Sequence, residues 1–192
     1  MPTQISILVL GDSLTSGYGL EQGESFPAQL ETSLRSAGYA VKVINAGVSG
    51  DTTAGGLARI EWALTDQPQI VVVELGANDA LRGLDPSQTK ANLDQILTRL
   101  KAAGCRVLLT GMQSPRNLGP DYYNKFDRIY PELAKHHEVL FYPFFLDGVA
   151  TRPELNQADG IHPNSEGVQR IVEGILPLIA TALDEIKSSA FE

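Results

Sequence analysis

Short apolar runs alternate with amphipathic stretches along the chain. Ile5-Ser6-Ile7-Leu8-Val9-Leu10 is apolar and stops at Gly11, the pattern of a buried strand. From about Ser25 to Ala37, Phe26, Leu30 and Leu34 recur at helical spacing, and Gly38 supplies a stop. Val41 to Asn45 reads as a second strand. Thr52 or Thr53 is placed to cap a helix carrying Leu57, Ile60 and Leu64. Ile70-Val71-Val72-Val73-Glu74-Leu75 is nearly all β-branched and apolar, as a central strand covered on both faces requires. Asp85-Pro86 is an N-cap followed by proline, opening a helix through Leu93, Ile96, Leu97 and Leu100 that Gly104 ends. Arg106 to Gly111 is the fourth strand. Asp121 to His137 predicts one helix, with Phe126, Ile129, Tyr130 and Leu133 on one side. Val139 to Tyr142 is the fifth strand. Asn164-Ser165-Glu166 opens a last helix with Val168, Ile171, Val172 and Ile175, and Pro177 is expected to kink it.

Strand and helix thus alternate five times. The expectation is an α/β protein, a three-layer α/β/α sandwich around a five-stranded parallel sheet with right-handed crossovers. No repeat, low-complexity tract or linker interrupts the 192 residues, so one domain spanning 1–192 is expected. Ligands in such folds sit beyond the carboxyl ends of the strands. The chemistry should therefore follow Leu10, Asn45, Leu75 and Gly111, with the loop before the last helix.

Composition narrows the function classes. At 43% hydrophobic and 20% charged the chain is a globular one. Its net charge of −8, with no basic run, argues against a nucleic-acid surface or attachment to anionic lipid. One cysteine, Cys105, excludes an internal disulfide and a four-cysteine zinc site. No apolar run approaches the roughly 20 residues of a membrane helix. Met1-Pro2-Thr3-Gln4 leads directly into an apolar segment, without a basic region or cleavage site, so no secretion signal is expected. A chain whose signal had been removed would read the same way.

Three strand ends and the loop before the last helix carry four polar blocks: Gly11-Asp12-Ser13-Leu14, Asn45-Ala46-Gly47-Val48-Ser49-Gly50-Asp51, Gly76-Ala77-Asn78-Asp79 and Asp159-Gly160-Ile161-His162-Pro163. Each alone reads as an ordinary turn or capping segment. Together they supply what nucleophilic acyl transfer needs: a hydroxyl (Ser13), a base (His162), a carboxylate to orient it (Asp159) and donors for an oxyanion. The candidate donors are the Ser13 and Gly47 N–H groups and the Asn78 amide. Glycine at 47 would let substrate approach the backbone.

These blocks resemble the GDSL or SGNH hydrolase family, named for its Ser, Gly, Asn and His. The resemblance runs from Leu10 to about Gly167, in order, and implies the flavodoxin-like fold of that family. It implies Ser13 as nucleophile, Gly47 and Asn78 with the Ser13 amide as the oxyanion hole, and Asp159 and His162 completing the triad. Gly11 to Gly19, Ser49 to Gly56 and Asn78 to Gly83 are more similar to the bacterial thioesterase I, lysophospholipase L1 and arylesterase branch. A small acyl ester or thioester substrate, no metal and no cofactor follow from that resemblance, with a monomer as the default. Export to the periplasm or medium also follows, although this chain shows no signal; cytoplasmic is the alternative. A carbohydrate O-acetyl esterase using the same triad, and a binding module using the cleft without catalysis, are the competing readings.

Other motifs fail. There is no P-loop lysine, Gly17-x-Gly19 lacks the third glycine of a dinucleotide fingerprint, and Ser13 has no Gly-x-Ser-x-Gly elbow. His136 and His137 fall at a helix end, where interaction with the helix C-terminus is the expectation rather than catalysis or metal binding. Cys105 and Trp62 read as packing residues. Asp12 and Asp51 read as structural, and Asp79 as support for the Asn78 loop. Met112 and the Arg116-Asn117-Leu118 stretch after strand four either line the acyl pocket or form a plain surface connection.

Overall fold

The computed structural model describes residues 4–189. Strand β1 is Ile5–Gly11 and the short helix α1 is Ser13–Ser16. Helix α2, Phe26–Ser36, leads to β2, Val41–Gly47. Helices α3, Thr53–Ala58, and α4, Ile60–Leu64, precede β3, Ile70–Glu74. Helices α5, Ala77–Leu81, and α6, Pro86–Ala102, precede β4, Arg106–Thr110. Helices α7, Pro120–Asp127, and α8, Ile129–His137, lead to β5, Leu140–Tyr142, and α9 is Ser165–Ser189.

The five strands are parallel, in the order β2-β1-β3-β4-β5. Helices α2 and α9 pack together on one face, and α3, α6 and α8 pack in succession on the other. The expected sandwich is thus the observed one. Every residue of β3 is buried, which explains its apolar run. The strand order reverses between β1 and β3, the switch point beyond whose carboxyl ends ligands bind in such sheets. Gly11 pairs in register with Gly47 on one side and Glu74 on the other, so three of the four polar blocks start at one level of the sheet.

Several local expectations need correction. The helix expected over 121–137 is two, because Pro131 has no N–H for the Asp127 carbonyl one turn back. The helix after Thr52 also divides, at Arg59, which leaves helical geometry with φ −110° and ψ 11°. Thr52, not Thr53, is the cap, accepting from the Gly55 N–H. The Asn78 segment is the helix α5 rather than a loop. Pro177 lies inside α9 without dividing it. Trp62 is not a packing residue: α4 buries Ile60 and Ala63, three apart, and turns Trp62 outward, 60% exposed. Cys105 is buried as expected, its Sγ donating to the Pro68 carbonyl.

Candidate active site

Asp12 shapes the turn after β1. As the N-cap of α1 it accepts from the Leu14 N–H through Oδ1 at 2.9 Å. This places Ser13 at the first helical position, where its N–H has no partner within the helix. Ser13 Oγ lies 3.0 Å from His162 Nε2, and His162 Nδ1 lies 2.6 Å from Asp159 Oδ2. The other Asp159 oxygen accepts from the N–H groups of Ile161 and His162, at 2.9 and 3.0 Å. Those main-chain donors, with the His162 ring, hold the Asp159 carboxyl down at about 2. The loop is braced from behind: the Gln157 N–H donates to the His162 carbonyl at 2.8 Å, and its side-chain amide donates to the Tyr18 and Pro163 carbonyls. The Tyr18 ring packs on the His162 ring, centroids 4.6 Å apart. Ser13, His162 and Asp159, 149 residues apart in sequence at the extremes, are therefore brought into one hydrogen-bonded line.

Gly47 faces the nucleophile turn across the β1–β2 edge. A Cβ there would lie 2.3 Å from the Ser16 nitrogen and 2.9 Å from the Asp12 carbonyl oxygen. Glycine is thus required by the approach of the protein's own backbone, a nearer constraint than access for substrate. Its N–H donates to Asn45 Oδ1 at 3.0 Å. Gly76, at φ 116°, turns the chain out of β3 so that Asn78 falls in the first turn of α5. Asn78 Nδ2 then donates to Asp12 Oδ2 at 3.0 Å and to the Asp51 carbonyl at 2.9 Å. Of the three expected oxyanion donors, Gly47 and Asn78 each hold an acceptor of the protein itself, and the Ser13 N–H has none among the described residues.

The supporting acids behave as expected. Asp79 accepts from Thr53 N–H and Oγ1 and from Thr89 Oγ1, which ties α5 to α3 and α6. Asp51 pairs with Arg59, Nε to Oδ2 2.8 Å. Two residues beneath the site escaped the sequence reading. Arg59 donates to the Ala46 and Gly11 carbonyls at 2.8 and 2.9 Å, clamping the ends of β2 and β1 to the Asp51 loop. Its signal was available, since it is the one Lys or Arg between Lys42 and Arg82. Glu74 is fully buried and accepts through Oε2 from Thr15 Oγ1 at 2.7 Å and the Asp12 N–H at 3.2 Å. It was visible as the one charge in the third strand's apolar run. Burial pushes the Glu74 carboxyl well above its ordinary value, and the neighbouring Asp12 charge adds to that; Asp12 itself is raised to about 6 by burial.

Met112, expected either in the acyl pocket or on a surface connection, lies in neither exposed setting. It is 3% exposed and packs in the core. Arg116 is held by Asp127 at 2.6 Å and over the Tyr123 ring at 4.7 Å, turned toward α7. Asn117 and Leu118 stay on the exposed turn after β4.

The family model described as the GDSL-like Lipase/Acylhydrolase family matches residues 9–170. The chain belongs to that family. The GDSL-like chain is 41% identical over 179 residues to the protein named Esterase TesA of Pseudomonas aeruginosa, covering 93% of this chain and 89% of the relative. It is 44% identical over 162 residues to Thioesterase 1/protease 1/lysophospholipase L1 of Escherichia coli, covering 84% and 76%. The crystal structure of AlinE4, described as an SGNH-hydrolase family esterase, superposes with a TM-score of 0.80 at 49% identity, covering 95% of this chain and 98% of that one. As a member of this GDSL-like family the chain is a serine ester hydrolase.

Proposed function

We propose that Ser13 is the nucleophile of an acyl-enzyme mechanism, with His162 as base and Asp159 as its orienting carboxylate. The observation that carries this reading is the hydrogen-bonded line from Ser13 Oγ through His162 to Asp159, at 3.0 and 2.6 Å. Ser13 Oγ attacks the acyl carbonyl as His162 Nε2 takes its proton. Asp159 fixes the tautomer that leaves Nε2 free and stabilises the imidazolium. The Ser13 N–H meets the developing oxyanion first; the Asn78 amide and Gly47 N–H serve it by turning from their internal acceptors. His162 then protonates the leaving alcohol or thiol, and water repeats the sequence on the acyl-enzyme.

The rim of the site suggests the acyl part of the substrate. Seven large hydrophobic side chains are exposed among the described residues: Tyr18, Val48, Trp62, Leu81, Leu84, Leu118 and Ile161. All except Trp62 lie on the segments that follow β1, β2, β3 and β4 or on the triad loop. Apolar side chains gathered at one end of the molecule favour an aliphatic acyl chain over a sugar. We assign the protein to esters and thioesters of such chains. Hydrolysis of p-nitrophenyl esters from acetate to palmitate, by wild type beside Ser13→Ala, tests both parts. Turnover should vanish in Ser13→Ala and peak beyond acetate. Turnover retained by Ser13→Ala would remove the nucleophile assignment, and an optimum at acetate would remove the acyl-chain assignment.

A further inference from the structure

His136 and His137 close α8, and nothing in ester hydrolysis uses them. The structure adds a third group to the pair. Asp94, midway along α6, faces them across the seam between the two helices. One ligand atom from each of Asp94, His136 and His137 lies within 4.8 Å of the others. His137 Nε2 is 2.7 Å from Asp94 Oδ1, and the two imidazoles meet edge to face at 4.9 Å. His137 is buried, Asp94 half-buried and His136 exposed. Asp94 and His136 line a hollow of about 500 Å³, with Ser87, Lys90 and Glu132 among the other walls.

We propose that Asp94, His136 and His137 bind a divalent transition-metal ion of the zinc type, at a site separate from the esterase centre. Two imidazoles and one carboxylate suit such ions, whereas calcium and magnesium take oxygen ligands. With metal–ligand bonds of about 2.1 Å, tetrahedral ligand atoms stand about 3.4 Å apart. The 2.7 Å His137–Asp94 contact and the 4.8 Å outer limit bracket that spacing. The ion would replace the proton between His137 and Asp94 and draw the exposed His136 ring inward, leaving a fourth position open to the hollow for water. Two features pre-form the arrangement. Lys101 Nζ donates to the His137 carbonyl, fixing that residue to α6. The one ammonium lining the hollow, Lys90, is paired with Glu132 at 2.6 Å. A bound ion would tie α6 to α8, so its effect is on stability rather than on catalysis.

The test is calorimetric titration of the tag-free, chelator-treated full chain with ZnCl2, alongside His136→Ala, Asp94→Asn and His162→Ala. His136 is exposed, so its replacement leaves the fold intact. One equivalent of Zn²⁺ should bind at micromolar concentration, and binding should weaken at least tenfold in His136→Ala and Asp94→Asn. At ten times the dissociation constant Zn²⁺ should raise the melting temperature of the wild type by about 3–6 °C. Ester hydrolysis by metal-free His136→Ala should match metal-free wild type. Absence of saturable binding up to millimolar Zn²⁺ would overturn the proposal. So would binding that survives in His136→Ala and disappears in His162→Ala, which would place the ion on the triad.

Discussion

The Glu74 carboxyl supports Asp12 from beneath the nucleophile turn, Oε2 accepting from the Asp12 main-chain N–H at 3.2 Å. The same Asp12 side chain accepts from Leu14 and from Asn78. Two buried carboxyls therefore share the ground under Ser13, and among the described residues Glu74 Oε1 has no partner as a bare acceptor. A proton on Glu74 turns that oxygen into a donor toward the Asp12 charge. Glutamine supplies an N–H in the same place, so Glu74→Gln should keep near-wild-type kcat. Glu74→Ala leaves Thr15 and the Asp12 N–H without their acceptor, at a cost of about 2–3 kcal/mol.

The pair also sets a pH dependence of stability. Both folded-state values are raised, so the stability linked to the protonated forms is complete in acid, below the unfolded values. It is lost as pH rises through about 6 for Asp12 and higher still for Glu74. Urea midpoints at pH 5, 7 and 9 should fall with pH in the wild type and fall less in Glu74→Gln. Equal slopes would mean that Glu74 ionises as readily folded as unfolded.

Asn78 is predicted to be an oxyanion donor that doubles as a tether between Asp12 and the Asp51 loop. Losing such a donor costs about 3–4 kcal/mol in the transition state. Asn78→Ala should lower kcat by roughly a hundredfold or more and leave KM within a few-fold of the wild type. A variant with unchanged kcat would restrict Asn78 to the tether.

Arg59 is expected to matter to stability well out of proportion to its distance from the chemistry. Its side chain is 18% exposed and holds three acceptors, one of them the Asp51 carboxylate. Breaking a largely buried pair from one side costs about 3 kcal/mol. Arg59→Met should lower the melting temperature by about 6–12 °C in thermal denaturation. A shift under 2 °C would show that the loop holds without its clamp.

These residues show how far the sequence carries. The polar blocks that hold Ser13, Asp159 and His162 were legible because the alternation of elements places them at a strand end and on the loop before the last helix, and because in order they resemble the blocks of one family. The five parallel strands and the capping of α6 at Asp85 were legible from local pattern alone. Glu74 and Arg59 were visible as lone charges, but their partners lie 62 and 48 residues away, at Asp12 and Gly11. No local pattern reports such pairings. The burial of Met112 and the exposure of Trp62 were not legible, because a strand end or a short helix has faces that only the packed neighbours decide.

The apolar rim predicts chain-length selectivity. Leu81 is 55% exposed at the end of α5 and contributes nothing to the core. Leu81→Asp should raise KM for octanoyl and longer p-nitrophenyl esters several-fold, leave the acetyl ester nearly unchanged and keep the melting temperature within 2 °C. Equal effects on short and long esters would move the acyl chain elsewhere.

The nucleophile assignment is tested most directly by covalent capture. A fluorophosphonate mimics the tetrahedral intermediate and stays attached to an activated serine. Mass spectrometry of the digested protein should find one equivalent of phosphonate on the peptide containing Ser13, with labelling slowed by orders of magnitude in His162→Ala. A stoichiometric adduct on any other residue, or none on folded protein that still hydrolyses esters, would contradict the account.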